Sequence, residues 1–318
     1  MGVWRMMDTD KHVLGGPERP PVIVSNLRSP ILLLLTAVIW GTGFVAQRMG
    51  MRQIGPLTYG ASRFTIASIA LGIPVYLLRN SRKKAGALSL KASLRGGVIC
   101  GVILFMACTS QQVGLITASA GKAGFLTALY IVATPLLGTL VGKPSSKYIW
   151  GAVVVAITGM ALLCWQGGAA LESGDVWLIV CAVIYAGHIH AVARFASSID
   201  NLMLSWIQTT VCALCTLAGM FIVERPVFAD VLASWQPIVY GGLFPIGIAY
   251  TLQVFGQRGA HPAVASLIMS LEAVFAAVFG RIVLGEIMTG RQTVGAALVF
   301  AASAAATLLG SAKAKTTE

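Results

Sequence analysis

The chain has 318 residues, of which 57% are hydrophobic and only 11% are charged, and its formal net charge is +12 at pH 7. A typical soluble domain is about 25% charged, so this composition excludes an ordinary water-soluble protein and favours one embedded in a membrane. The excess of basic residues does not indicate nucleic-acid binding, because these residues lie mainly at the ends of apolar segments, where they anchor membrane helices.

The N-terminal segment ahead of the first hydrophobic run is polar and contains Pro17, Pro20 and Pro21, and that run begins only at Ile31. A cleavable secretion signal would place a short apolar core inside this segment. We therefore predict that residues 1–29 form a cytoplasmic tail ahead of the first membrane helix.

Ten apolar runs follow this tail, each long enough to cross a bilayer as a helix. The connections are short, so consecutive spans are expected to be antiparallel neighbours. We predict an all-α integral membrane protein with ten transmembrane helices. In chain order, spans 1 to 10 are Ile31–Gln47, Leu57–Leu78, Leu94–Val113, Ala118–Val141, Ile149–Trp165, Val176–Ala196, Ser205–Val223, Pro237–Gln257, Ala263–Leu284 and Val294–Gly310.

Lysines and arginines are distributed unevenly between the two sides of this arrangement. If the N-terminus is cytoplasmic, 16 of the 23 lie in cytoplasmic segments and five in outer segments, while Arg63 and Lys122 fall within spans. Cytoplasmic segments of membrane proteins are enriched in Lys and Arg. Both termini are therefore predicted to be cytoplasmic, including a short C-terminal tail at 311–318.

The stretch Thr109–Val141 aligns without a gap on the later stretch Thr251–Val283, with nine identities in 33 positions. This alignment matches spans 3 and 4 with spans 8 and 9, and AVIW in span 1 likewise matches AVIY in span 6. The repeating unit is therefore five helices, predicted at 30–166 and 175–310. An odd number of spans inverts the second unit in the membrane, and inverted repeats are typical of secondary transporters.

Three segments of the chain carry a family resemblance: WGTGFVAQRMG (Trp40–Gly50), TSQQVGLITASAGKAGFLTALYIVATPLLG (Thr109–Gly138) and HPAVASLIMSLEAVFAAVFGRIVLGE (His261–Glu286). Together with the ten spans and the repeat, they resemble the EamA family of the drug/metabolite transporter superfamily. The resemblance implies an inverted-repeat transporter of the bacterial inner (plasma) membrane that exports amino acids, other metabolites or drugs. It also implies a central cavity lined by spans 1, 3, 4, 6, 8 and 9.

The sequence departs from the family pattern at one position in span 9. Members often have Leu-Glu-Pro-Val, whereas this chain has Ala273 after Leu271 and Glu272. Because proline is a common cause of helix kinks, the kink is expected to be softer or absent.

Ionisable residues inside membrane spans are costly, so each is a candidate functional residue. Glu272 lies near the middle of span 9 and is a candidate for proton coupling or for binding a substrate amine; the alternative is a structural ion pair or hydrogen bond. Lys122, near the outer end of span 4, is a candidate for binding a substrate anion or for pairing with Glu272, with snorkelling to the surface as the alternative. Arg63 in span 2 offers a bidentate anion site, although a structural contact is the commoner role.

Five polar or aromatic residues complete the set of candidates. His188 in span 6 is a candidate proton sensor, with a helix-packing hydrogen bond as the alternative. Gln111 and Gln253 occupy matching positions in the two repeats and suit a cavity lined from both halves, although interhelical hydrogen bonds are equally expected. Trp40 and Tyr185 also match one another and are candidates for stacking on a substrate, with plain packing as the alternative.

The sequence contains no HExxH, GxSxG or Gly-rich phosphate motif, and no spacing that suits metal ligands. We therefore predict no cofactor, no metal and no enzyme activity. The six cysteines all fall in or beside apolar runs, which favours packing roles over disulfides.

The predicted function is a secondary-active membrane transporter that exports a small metabolite, such as an amino acid or a drug-like compound, by alternating access. The alternatives are an exchanger or uniporter of an anionic metabolite, a membrane-embedded enzyme, or a channel. The predicted partners are a small-molecule substrate and the lipid bilayer, with protons as the candidate coupling ion and no nucleic acid.

Overall fold

The computed structural model describes residues 28–79, 90–118, 120–164, 172–284 and 288–315. All the regular secondary structure in these ranges is helical. Nine of the described helices or helix pairs are long and apolar enough to cross a membrane. The predicted all-α, multi-pass membrane fold of about ten helices is thus confirmed. The predicted N-terminal tail lies almost wholly outside the described residues.

The ten spans have the following bounds. Spans 1 to 5 are Arg28–Gly50, Pro56–Leu77, Leu90–Thr117, Ala120–Ala128 continued by Tyr130–Leu140, and Lys147–Cys164. Spans 6 to 10 are Ser173–Ala196, Asn201–Val223, Trp235–Gln257, Pro262–Met269 continued by Glu272–Leu284, and Gly290–Lys315. A short helix, Phe228–Ala233, precedes span 8.

Spans 4 and 9 are both interrupted at matching positions of the repeat. Span 4 breaks at Leu129, and span 9 breaks at Ser270 and Leu271, immediately before Glu272. The helix of span 9 is therefore interrupted even though Ala273 stands where proline is common, so the expected alternative of an absent kink is wrong. The Ser270 hydroxyl donates a 2.8 Å hydrogen bond to the Leu267 carbonyl, and such local bonds compete with the regular helical pattern.

The break in span 9 also changes the backbone bonding. The Leu271 N–H donates to the Ile268 carbonyl at 3.2 Å and the Ala273 N–H donates to the Ser270 carbonyl at 3.3 Å. Each of these bonds reaches back by three positions rather than four, so the turn is tightened as in a 3₁₀-helix. Span 8 contains a wider turn instead of a tighter one, because Gly242–Ala249 forms a π-helix. Such π-helical turns are often found at functional sites.

Three hydrogen bonds join residues that occupy the same position in the two repeats. They link Ser68 to Thr210 at 2.7 Å between spans 2 and 7, Cys108 to Tyr250 at 3.5 Å between spans 3 and 8, and Tyr130 to Glu272 at 3.2 Å between spans 4 and 9. Two atoms exchanged by a two-fold rotation contact each other only if both lie close to its axis. These contacts therefore mark the pseudo-two-fold axis that relates the repeats.

Spans 5 and 10, also repeat partners, pack together through small residues. A Cβ placed on Gly159 would lie 2.7 Å from the Gly295 carbonyl oxygen, whereas one on Gly151 of the same helix would meet no atom within 4 Å. The two backbones thus approach each other closely at Gly159, as glycine permits in membrane helices.

Gly159→Ala is therefore expected to destabilise the protein by about 1–3 kcal/mol, the usual cost of overpacking. Gly151→Ala serves as the matched control and should leave stability unchanged or slightly improved, since alanine favours a helix over glycine. Thermal unfolding of the purified protein in detergent measures both effects. Equal melting temperatures for the two variants would contradict the close approach of spans 5 and 10.

Candidate functional site

A cavity lies between the two repeats. Its walls come from spans 1, 2, 3, 4, 6, 8 and 9. It is lined by Trp40, Gly43, Phe44, Gln47, Arg63, Cys108, Gln111, Thr127, Tyr130, Tyr185, Ile189, Pro245, Ile246, Tyr250, Gln253, Met269 and Glu272. Six of the eight candidate residues line this cavity, while Lys122 and His188 do not.

Glu272 begins the second half of span 9, immediately after the break, and is only 7% exposed. Its Oε1 accepts a 3.2 Å hydrogen bond from the Tyr130 hydroxyl. In the described part of the chain, no ion pair involves Glu272. The positive end of the helix Glu272–Leu284 stabilises a carboxylate at this position.

The Tyr130 hydroxyl suits either protonation state of Glu272, because a phenolic group both donates and accepts hydrogen bonds. It donates to the carboxylate and can accept from the carboxylic acid without any movement of the helices. Tyr130 in turn begins the second half of span 4, after the matching break at Leu129. The two breaks thus bring the starts of two half-helices together at the pseudo-two-fold axis.

Aromatic rings from spans 1, 6 and 8 line the cavity. The Trp40 indole nitrogen donates to the Pro245 carbonyl at 3.0 Å, which holds the ring in place against the π-helix of span 8. Trp40 and Tyr250 meet edge to face, with ring centroids 4.9 Å apart. The Tyr185 hydroxyl lies 3.1 Å from the Tyr250 hydroxyl and 3.2 Å from the Cys108 sulfur. The cavity wall therefore combines aromatic rings with hydroxyl groups.

Gln111 and Gln253 enter the cavity from spans 3 and 8, as their matching positions in the repeat suggest. Both are buried, and the Oε1 atom of Gln253 has no hydrogen-bond partner among the described residues. A buried amide oxygen without a partner is costly. Gln253 is therefore available to accept a hydrogen bond from a bound molecule or from water.

Arg63 reaches the cavity from span 2, a span that the family resemblance does not place in the cavity wall. Arg63 is 4% exposed, and its guanidinium carbon lies 5.0 Å from the centre of the Tyr59 ring and 5.5 Å from the centre of the Phe64 ring. Such cation–π contacts stabilise a charge partly removed from water.

Lys122 lies away from the cavity and forms an ion pair with Asp175 at the start of span 6. Its Nζ is 2.5 Å from Oδ2 of Asp175 and 4.0 Å from Oε1 of Glu172. The Asp175 side chain is fully buried and also accepts a hydrogen bond from the Glu172 backbone N–H. The alternative that Lys122 pairs with Glu272 is therefore wrong, and Lys122 ties span 4 to span 6.

Removing one partner of this pair is expected to cost about 2 kcal/mol, less than for a fully buried pair because the Lys122 side chain is 26% exposed. Lys122→Met should lower the melting temperature, since it leaves the Asp175 carboxylate uncompensated. The double variant Lys122→Met/Asp175→Asn should recover most of the loss. If the single and double variants unfold at the same temperature as the wild type, the pair contributes nothing to stability.

His188 is fully buried and lies behind the cavity wall. Its Nε2 is 3.2 Å from Oε1 of Gln208 in span 7, and its ring meets the Tyr250 ring edge to face at 6.1 Å. The contact between His188 and Gln208 is a helix-packing hydrogen bond, the alternative to proton sensing that the sequence suggests. His188 thus supports Tyr250 from outside the cavity.

Metal binding and disulfides receive no support from the described residues. In these ranges, no group of three or more His, Cys, Asp or Glu side chains is placed to hold a metal ion. All six cysteines lie in the described ranges as free thiols, and five of them are buried.

Three functional candidates escaped the sequence reasoning: Tyr130, Tyr250 and Cys108. A signal was present, because the gapless alignment of the two repeats places Tyr130 on Glu272 and, extended by one position, Cys108 on Tyr250. Residues that match across an inverted repeat meet wherever their spans cross the axis. The partner of a buried carboxylate could thus have been sought at the corresponding position of the other repeat.

Comparison with known proteins agrees with this architecture. The model of the EamA-like transporter family matches residues 27–165 and 172–308. An uncharacterized transporter of Archaeoglobus fulgidus is 27% identical over 288 residues, which cover 88% of this chain and 85% of that protein. A probable terminal-alkyne amino-acid exporter of Streptantibioticus cattleyicolor is 30% identical over 281 residues, which cover 84% of this chain and 89% of that protein.

The fold itself is known from experiment. A crystal structure of a protein that is 20% identical superposes with a TM-score of 0.73 and covers 89% of this chain and 97% of that chain. The family match runs through both halves of the chain and spans nearly all ten helices. The chain therefore belongs to the EamA-like transporter family.

Proposed function

We propose that the protein is a proton-coupled exporter of a small metabolite, such as an amino acid or a drug-like compound, that works by alternating access. The observation that carries this proposal is the position of Glu272, a buried carboxylate in the central cavity that contacts its own repeat partner, Tyr130. The similarity to a probable amino-acid exporter supports an amino acid as the first substrate class to test.

The pseudo-two-fold axis explains why this position suits a coupling residue. In an inverted repeat, each half can adopt the conformation of the other, and this exchange converts an outward-open state into an inward-open one. A group on the axis stays beside the cavity in both states, while the side to which the cavity opens changes. Glu272 can therefore exchange a proton with either side, depending on which way the cavity opens.

Coupling follows if the proton and the substrate compete for Glu272. A substrate amine binds the Glu272 carboxylate on the cytoplasmic side, the protein changes state, and a proton from outside neutralises the carboxylate and releases the amine. The return step carries the proton inward without substrate, and release of this proton to the cytoplasm restores the Glu272 carboxylate. One carboxylate thus links outward movement of substrate to inward movement of a proton.

The membrane arrangement in this proposal follows the sequence. The two repeats are residues 30–166 and 175–310, both termini are cytoplasmic, and the host is a bacterial inner membrane. The Lys/Arg distribution supports this orientation.

Purified protein in lipid vesicles tests the proposal. Vesicles loaded with an unlabelled amino acid should take up the same labelled amino acid by counterflow, and an inward-directed proton gradient should accelerate efflux. Phenylalanine is the first probe, because its ring matches the flat surfaces formed by Trp40, Tyr185 and Tyr250. Counterflow that ignores the proton gradient would identify an exchanger or uniporter, and ohmic conductance would identify a channel.

A further inference from the structure

We propose that Arg63 binds the carboxylate of the transported compound, so that the substrates are small amphoteric molecules that carry both a carboxylate and an amine. This inference rests on the proposed transport function. It assigns the anion site to Arg63 rather than to Lys122. It also orients the substrate, with its carboxylate toward Arg63 and its amine toward Glu272.

The charge balance of the cavity points to Arg63. Arg63 is buried, and the ion pairs between described residues do not include it. Its Nε has no hydrogen-bond partner there. Lys122, by contrast, is already paired with the buried carboxylate of Asp175. A guanidinium without a counter-ion beside a cavity is an anion site, because an anion restores the interaction that burial removed.

Neighbouring rings hold the guanidinium in position before any ligand arrives. The Arg63 charge lies over the rings of Tyr59 and Phe64, and the Tyr59 hydroxyl donates to the Pro237 carbonyl at 3.2 Å. Gly241 permits this arrangement, since a Cβ there would lie 2.7 Å from the Tyr59 hydroxyl oxygen. A fixed guanidinium favours planar, bidentate partners, and a carboxylate has that geometry.

A single negative charge fits this cavity better than a phosphate. Arg63 and Glu272 are the two ionisable groups of opposite sign among the described lining residues. A carboxylate on Arg63 and an amine on Glu272 neutralise both, whereas a phosphate dianion adds uncompensated charge beside Glu272. The aromatic rings of Trp40 and Tyr250 provide apolar surfaces for the rest of the molecule.

The repeat also predicts that the substrate is oriented. The position in span 7 that corresponds to Arg63 is Ser205, whose hydroxyl donates to the Asn201 carbonyl of its own helix at 2.8 Å. The second half therefore supplies no matching cation at this position. Glu272 lies on the axis and Arg63 lies to one side of it, so the carboxylate end should face the half of the cavity formed by span 2.

Matched ligands test this inference on the wild-type protein without any mutation. The probes are phenylalanine, its methyl ester, which lacks the carboxylate, and phenethylamine, which lacks the carboxyl group entirely. At a fixed pH of about 7, phenylalanine should raise the melting temperature of the detergent-purified protein clearly more than either of the other two, which lack only the contact with Arg63. Equal stabilisation by phenylalanine and its methyl ester would overturn the inference. A failure of all the common amino acids to stabilise the protein would also overturn it.

Variants then locate the anion site. Arg63→Gln should weaken phenylalanine binding at least about 30-fold, in line with the loss of one partner of a buried charged pair. Arg63→Lys should retain part of the binding, because the charge remains while the bidentate geometry is lost. The control is Arg52→Gln, which removes an exposed arginine at the outer end of span 1. Binding that is equally weakened in Arg52→Gln, or unchanged in both Arg63 variants, would refute the assignment.

The two proposals fail in different ways. If vesicles carrying wild-type protein transport amines or neutral compounds but no carboxylate, the anion site is wrong and the transport function stands. If no compound of any class shows counterflow, while a carboxylate still binds in an Arg63-dependent manner, the anion site stands and the transport function is wrong.

Discussion

Glu272→Gln is expected to abolish the response of transport to a proton gradient and to lower proton-driven efflux at least about tenfold, a typical loss for removal of a proton-transfer group. Glutamine keeps the shape and a hydrogen bond to Tyr130 but cannot exchange a proton. The variant is therefore fixed in a state that resembles the protonated carboxyl. Efflux of labelled phenylalanine from vesicles at about pH 6 and about pH 8 outside measures the effect.

The control for this variant is Asp230→Asn, which makes the same chemical change in the short helix ahead of span 8, outside the cavity. It should leave the pH response intact. Both proteins should unfold at temperatures close to the wild type, since neither change creates a cavity. A Glu272→Gln protein that transports with an unchanged pH profile would make Glu272 a structural residue.

Exchanging the two residues at the axis is expected to preserve coupling. Glu272→Tyr alone should lose proton-driven transport at least about tenfold, because it removes the only carboxylate among the described residues that line the cavity. The double variant Tyr130→Glu/Glu272→Tyr should recover to within about threefold of the wild type. Both positions begin the second half of a broken span, so the carboxylate regains a helix N-terminus and a tyrosine partner.

The double variant tests whether proton coupling needs only a carboxylate and a tyrosine at the two symmetric positions, or needs the carboxylate in span 9. The control, Tyr130→Phe, removes only the hydroxyl and should shift the pH response without abolishing transport. If the double variant folds and yet transports no better than Glu272→Tyr, the function of Glu272 depends on groups that belong to span 9 alone. In that case the pseudo-two-fold axis would describe the fold but not the coupling.

Much of the fold could be predicted from the sequence, because bilayer thickness sets the length of every apolar run. The observed spans differ from the predicted ones mainly at their ends. The breaks at Leu129 and at Ser270–Leu271 could not be predicted, since the apolar pattern continues across both. They depend on local competition for backbone hydrogen bonds and on packing between repeats.

The site was predicted only in part, for a related reason. The sequence indicates Glu272, Arg63 and the two glutamines, which line the cavity, because polar groups in apolar spans are conspicuous. Lys122 pairs with Asp175, which precedes the predicted start of span 6, whereas the helix begins at Ser173. Starting the helix one turn earlier would have shown a buried acid beside Lys122.

Proton coupling at Glu272 is tested most directly by recording the pH inside vesicles while phenylalanine moves down its own gradient, with no proton gradient applied. Efflux of phenylalanine through the wild-type protein should acidify the vesicle interior, because each outward step returns a proton, and Glu272→Gln should abolish this signal. Phenylalanine efflux through the wild type with no change of internal pH would contradict proton coupling at Glu272.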